Sequence, residues 1–180
     1  LSHGFSKKTH VAIFSTILTL IITSIFTLIS INLADITGYS SEEAMFLQIA
    51  NQNINMRGIL LSGIIIGFLG ILDDVTVSQS SVVTQLKKTN TNLNTMQLYK
   101  KAMEIGRDHI TSMINTLVLV YTGASMPLLL LFMNNPQPFD MVLNREIIAD
   151  EILRTLLGSI GLILAVPIST FFASVVADVD

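Results

Sequence analysis

The chain contains four long runs of apolar residues, and no other feature restricts its fold as strongly. A helix needs about 20 residues to cross the ~30 Å hydrocarbon core of a bilayer. Runs of that length occupy residues 11–33, 57–83, 109–133 and 154–176. With 51% hydrophobic and 13% charged residues and a mean hydropathy of +0.65, the composition excludes a soluble domain. We therefore predict an all-α, polytopic membrane bundle with about four transmembrane helices.

Composition and motifs also exclude several functions. The net charge of −3, without a basic patch interleaved with aromatic residues, argues against a nucleic-acid partner. The chain has no cysteine, so it has neither disulfides nor thiolate metal sites. Motifs typical of zinc proteases, serine hydrolases and nucleotide-binding loops are absent. We expect no enzyme activity, no catalytic residue, no metal and no cofactor.

Basic residues are concentrated in alternate connections between the runs, and this alternation predicts the orientation. The N-terminal segment and residues 87–107 are rich in lysine, whereas the other two connections are rich in acidic residues. Because basic segments stay in the cytoplasm, we expect both termini there. Residues 95–108 are expected to form an amphipathic helix at the cytoplasmic surface. Ser40 or Ser41 is expected to cap a short helix in the first acidic loop.

The second run contains two adjacent carboxylates, Asp73 and Asp74. Its purely apolar part, residues 58–72, is only about 22 Å long as a helix, so a span must continue through both. Ionisable groups at membrane depth are costly and usually functional. Two adjacent carboxylates in a low-dielectric site resist ionising together, so one is expected to hold a proton. We predict that the aspartate pair binds a proton or a monovalent cation.

Helical spacing groups the polar residues of the second and third runs into stripes that lipid would not accommodate cheaply. We expect the stripes to face each other or a wet cavity. In the third run, the candidate partners of the aspartate pair are Ser112, Asn115 and Thr116. The candidate gate or relay residues are Arg107, Asp108, His109 and Gln79.

Other interpretations of these residues stay open. Asp73 and Asp74 would also suit the end of a span at the membrane interface, followed by a surface helix. Arg107 would alternatively neutralise them in a fixed ion pair. His109 would equally suit an ordinary histidine at the interface.

Glycines and prolines within the runs are expected to shape helix packing. Small residues let helices approach closely, and the candidates are Gly63, Gly67, Gly70, Gly123, Gly158 and Gly161. Pro127 and Pro167 are expected to kink their spans. A shift of 91 residues aligns Gly67 with Gly158 and Gly70 with Gly161, which suggests a parallel internal repeat.

Three segments carry a family resemblance: GILDDVTVSQ from Gly70, EIGRDHITSMINTLVLVYTGASMPLLLLF from Glu104, and EILRTLLGSIGLILAVPIST from Glu151. Together they resemble the YibE/YibF-like family of multi-pass bacterial membrane proteins. The resemblance implies a location in the bacterial plasma (inner) membrane. It also implies that this chain is the C-terminal part of a longer protein with helices upstream. It supplies no catalytic or binding residues.

A second similarity concerns Gly70, Asp73 and Asp74. This pattern is similar to the Gly-xxx-Asp-Asp helix of RND-type transporters, in which intramembrane aspartates carry the coupling proton. The partner lysine of those transporters is missing from the third run, where Asn115 is the closest candidate. The sequence therefore favours a transporter or permease, with a non-catalytic membrane scaffold or assembly module as the alternative. The expected partners are the lipid bilayer and the upstream helices, and a homo-oligomer is compatible with the sequence.

Overall fold

The computed structural model describes residues 7–134 and 137–178, and these residues are helical apart from short connections. Three helices are individually long and apolar enough to cross a membrane, and a bent pair forms a fourth candidate span. The helices are α1 (Lys7–Leu33), α2 (Glu42–Ala50), α3 (Met56–Thr89), α4 (Thr95–Ala124), α5 (Met126–Asn134), α6 (Phe139–Leu143) and α7 (Glu146–Asp178). The predicted polytopic, all-α bundle is confirmed.

Polar side chains at the helix starts define several of these boundaries. The Ser41 side chain accepts a hydrogen bond from the backbone of α2, as one of the two expected caps. The Asn55 side chain does the same for α3. Asn94 and Gln97 form a reciprocal capping box at the start of α4. These caps satisfy backbone N–H groups that have no partner within the helix.

The long helices α1, α3, α4 and α7 pack side by side, and α7 touches the other three. Helices α1 and α7 are antiparallel. Phe14 contacts Phe172 with ring centroids 4.9 Å apart, whereas Thr23, later in α1, lies beside Gly161, earlier in α7. By contrast, α3 and α7 run in parallel. Gln79 of α3 bonds to a residue 91 positions later in α7, which is the shift that aligned the two segments in the sequence.

Because of these helix directions, one end of the bundle is basic and the other end is acidic. The basic end carries the lysines of α3 and the start of α4, namely Lys87, Lys88, Lys100 and Lys101. The acidic end comprises the end of α1, helix α2, and the starts of α3 and α7, with acidic side chains in the first turns of α2 and α7. The charge alternation noted in the sequence therefore corresponds to two ends of one bundle.

The predicted surface helix and most of the predicted third span form one continuous helix. Residues 95–108 were expected to lie on the membrane surface and residues 109–133 to cross it. Instead Thr95–Ala124 is one helix, and the chain then turns by 54° into α5. The reason is tertiary packing: Leu98 and Ala102 are fully buried in a cluster formed with other helices. These two side chains pack the first half of α4 against the other helices of the bundle.

The two prolines have different consequences. Pro127 is the second residue of α5, where a helix tolerates proline because the first turn has no intrahelical partner for its nitrogen. The break itself lies at Ser125, between α4 and α5. Pro167 lies inside α7, which continues through it as a single helix.

Candidate functional site

The aspartate pair, Asp73 and Asp74, lies in the middle of the bundle along its length. Just before the pair, Leu72 lies beside Gly161 of α7. Just after it, the Thr76 and Thr16 hydroxyl oxygens are 2.6 Å apart. The pair is therefore level with the part of α7 that follows Gly161, which is the centre of the apolar run 154–176. The pair is thus far from both charged ends of the bundle.

Within the described bundle, however, both aspartates are exposed. The buried face of α3 includes Ile64, Phe68 and Leu72, and the pair lies outside it. In the part of the chain that the structure describes, no hydrogen bond or ion pair reaches either carboxylate group. An ion pair with Arg107 is therefore not formed within the described residues. The two carboxylates occupy a helix face that residues 7–134 and 137–178 leave uncovered.

The polar stripe of α4 lies at the same level. Gly106 lies against Gln79 near one side of the pair, and Leu117 and Phe68 both lie beside Gly158 on the other. The α4 residues between these two contacts are thus level with the aspartates. They include the predicted candidates Asp108, Ser112, Asn115 and Thr116, all of which are exposed.

The α4 candidates are not joined to the aspartates. The Thr116 hydroxyl donates to the Ser112 carbonyl oxygen at 3.0 Å, one turn earlier in its own helix. Its hydrogen is therefore used locally, while its oxygen keeps acceptor capacity. The structure thus gathers the two stripes at one depth, both on exposed faces.

Gln79 has a different environment from the other relay candidates. Its side chain is 1% exposed. Its amide nitrogen donates to the Ala102 carbonyl oxygen at 2.8 Å and to the Thr170 hydroxyl at 2.7 Å. It thereby links α3, α4 and α7, which is a structural role. Arg107 is exposed and His109 is partly buried.

The candidate packing glycines fall into two groups. A Cβ added at Gly158 would be 3.2 Å from both Phe68 and Leu117, and one added at Gly161 would be 3.3 Å from Thr23. These two glycines therefore sit at helix contacts. For the other four, Gly63, Gly67, Gly70 and Gly123, an added Cβ has no such neighbour within 4 Å among the described residues. Three of these lie on exposed positions of α3 that lead to the aspartate pair.

Sequence reasoning missed two features. Gly106 is the tightest helix contact: an added Cβ would be 2.6 Å from a Val166 methyl carbon. The spacing of Leu98, Ala102 and Gly106, four residues apart, was the available signal. Asp150 lies in an acidic segment just before the fourth apolar run, but it is buried, with 5% of its surface exposed. No sequence pattern distinguished it from its acidic neighbours.

Comparison with known proteins identifies the family. A family model described as YibE/F-like protein matches residues 1–179. The chain therefore belongs to the YibE/F-like family, as its sequence resemblance indicated. No curated protein and no solved structure matches the chain.

Proposed function

We propose that this YibE/F-like membrane protein is a permease or transporter module in which Asp73 and Asp74 bind a proton or a monovalent cation. The supporting observation is the position of the pair, midway along the apolar helices and level with the polar stripe of α4. Carboxylates placed there without function would be a persistent cost.

The free-energy cost of placing Asp73 and Asp74 in a membrane depends on what covers them. An acidic residue at the centre of a transmembrane helix costs roughly 2.5–3.5 kcal/mol on insertion scales. Since this face is open, the cost falls if further helices cover it and form a polar seam. A second copy of the chain or additional helices of a longer protein would serve, and the hydroxyl and amide groups of α4 would line the seam.

Protonation of the pair is measurable without knowing the transported substrate. We would titrate the protein in lipid nanodiscs by infrared spectroscopy and follow the carbonyl stretch of protonated carboxylic acids. A proton bound by the pair should give the wild type a band of this kind, because two adjacent carboxylates share a proton more readily than either holds one alone. Asp73→Asn and Asp74→Asn should each remove or displace it. Asp140→Asn, at an exposed position of α6, is the matched control.

The transport step needs a flux measurement. Proteoliposomes loaded with a pH-sensitive dye should show proton entry driven by a membrane potential, and each asparagine variant should abolish it while keeping normal insertion and folding. Wild-type flux in both variants would refute the proposed site.

A second candidate, a non-catalytic membrane assembly module, is favoured by the open glycines beside the pair. Gly63, Gly67 and Gly70 give α3 a smooth surface of the kind that lets another helix approach closely. Gly67→Leu should weaken association under either function. If Gly67→Leu disrupts assembly while Asp73→Asn and Asp74→Asn change neither the infrared band nor flux, the assembly function is the correct one.

A further inference from the structure

The basic end of the bundle contains a cavity of about 380 Å³. Its described lining comes from the last two turns of α3, the connection from α3 to α4, and the last turn of α7. The lining residues are Thr84, Lys87, Lys88, Thr91 and Ala177. The volume is in the range of small-molecule sites, so the cavity is large enough for a ligand or for the polar part of one.

The lining carries positive charge on side chains that a ligand can reach. Lys88 and Thr91 are exposed, and Lys87 is partly exposed. Among residues 7–134 and 137–178, no hydrogen bond or ion pair reaches the Lys88 ammonium group. Lys87 donates to the Leu93 carbonyl oxygen at 2.8 Å, which holds its ammonium group beside the cavity. None of the described lining residues is acidic, so the cavity is complementary to an anion.

The depth of the cavity in a membrane indicates the kind of anion. Both Met56–Thr89 and Glu146–Ala177 are candidate membrane spans, and the cavity lies where both end. The apolar run of α3 ends at Val83, and Lys88 follows it by roughly 8 Å at the usual helical rise. Lipid headgroups occupy about 5–8 Å on each side of the hydrocarbon core. The lysines are therefore level with the phosphate groups of the surrounding lipids.

We infer that this cavity binds the headgroup of an anionic phospholipid. The Lys88 ammonium group pairs with the lipid phosphate, and the charge of Lys87 adds to the attraction. The Thr91 hydroxyl donates a hydrogen bond to a phosphate oxygen. Basic pockets between transmembrane helices bind anionic headgroups in this way. The inference does not depend on the aspartate pair, because Lys88 follows Asp74 by roughly 21 Å along α3.

Native mass spectrometry of the detergent-purified protein tests the inference, with dioleoylphosphatidylglycerol as the probe and dioleoylphosphatidylcholine as its zwitterionic counterpart. The wild type should bind phosphatidylglycerol at least about tenfold more tightly, since each lysine near a membrane surface favours an anionic lipid by a factor of about five. Lys88→Gln should therefore weaken phosphatidylglycerol binding about fivefold. Lys88→Arg keeps the charge and should bind as the wild type does.

The matched control is Lys101→Gln, which removes the same charge at an exposed position of the same end, outside the lining. It should leave phosphatidylglycerol binding unchanged. An equal loss in Lys101→Gln would overturn the inference, because binding would then be a general attraction to the basic end. Wild-type affinity in Lys88→Gln, or equal affinity for phosphatidylcholine, would also overturn it.

A water-soluble competitor distinguishes a lipid from a free phosphate compound. Glycerophosphoglycerol carries the headgroup of phosphatidylglycerol without acyl chains, and at equal concentration it should not displace the lipid. Displacement would assign the cavity to a soluble anion and overturn the lipid assignment. Asp73→Asn should retain phosphatidylglycerol binding, and Lys88→Gln should retain proton flux. Failure of this inference and failure of the proposed function can therefore be told apart.

Discussion

Replacing Gly106 with alanine tests how α4 is held in the bundle. The new Cβ would be 2.6 Å from a Val166 methyl carbon and 2.9 Å from the Gln79 amide nitrogen. Non-bonded carbon atoms prefer separations of about 3.5–4.0 Å, so α4 has to move by roughly 1 Å. The Gln79 side chain cannot simply rotate away, because its nitrogen bonds to both neighbouring helices.

The magnitude follows from three contributions. Overpacking costs about 1–3 kcal/mol, and losing the hydrogen bond from Gln79 to α4 costs about 0.5–1.5 kcal/mol. Alanine returns about 1 kcal/mol through its higher helix propensity. We expect a net loss of about 2 kcal/mol, which corresponds to a fall of roughly 4–8 °C in Tm if the scaling of soluble domains of this size applies.

Thermal unfolding of the detergent-purified protein, followed by size-exclusion chromatography of a fluorescent fusion, measures this change. Gly123→Ala is the matched control, since it lies on the same helix and an added Cβ meets no described residue within 4 Å. It should leave Tm unchanged or raise it. If the Tm of Gly106→Ala is as high as that of Gly123→Ala, the packing argument is refuted.

Three further changes have expected outcomes. Gln79→Leu should lower the free energy of unfolding by about 1–3 kcal/mol in denaturant titrations, because polar groups buried beside it lose their partner. Gly38→Ala should cost more than about 1 kcal/mol, since its φ is +84° and an added Cβ would be 2.7 Å from the Met56 carbonyl oxygen. Arg57→Gln should cost less than about 1 kcal/mol, because its 2.8 Å ion pair with Asp35 is exposed, and added salt should reduce the difference.

Each change has a control. Gln85→Leu, at an exposed position of α3, should not reproduce the loss seen for Gln79→Leu, and equal losses would contradict the role of the buried amide. Gly70→Ala, where an added Cβ meets nothing within 4 Å, should be tolerated, unlike Gly38→Ala. A double-mutant cycle of Arg57→Gln with Asp35→Asn that gave a coupling well above 1 kcal/mol would contradict the estimate for the ion pair.

The sequence anticipated the helices whose own composition determines them. Residues 11–33, 57–83 and 154–176 fall within α1, α3 and α7. The physical reason is local: backbone polar groups have no water partner in hydrocarbon, so a long apolar run satisfies them as a helix. The cap at Ser41 was also anticipated, because caps depend on residues only a few positions apart.

The packing of residues 95–108 inside the bundle was not anticipated, because these residues are amphipathic. A stripe such as Leu98, Ala102 and Gly106 suits a membrane surface or another helix equally well. The position of Gln79 and Val166 beside Gly106 shows that the stripe packs against other helices. The same ambiguity affected the glycines. Gly158 and Gly67 look alike in sequence, yet a Cβ added at Gly158 would meet two side chains, whereas one added at Gly67 would meet none among the described residues.

The sequence by itself determined that this is a helical membrane protein, and it determined which helix carries Asp73 and Asp74. Each of these properties depends on residues close together in the chain. The tertiary structure decided which side chains are covered. It left the aspartate pair open at mid-bundle and buried Gln79 between three helices. It also enclosed Asp150 beside a cavity. Burial depends on where distant helices pack, and no local pattern specifies that.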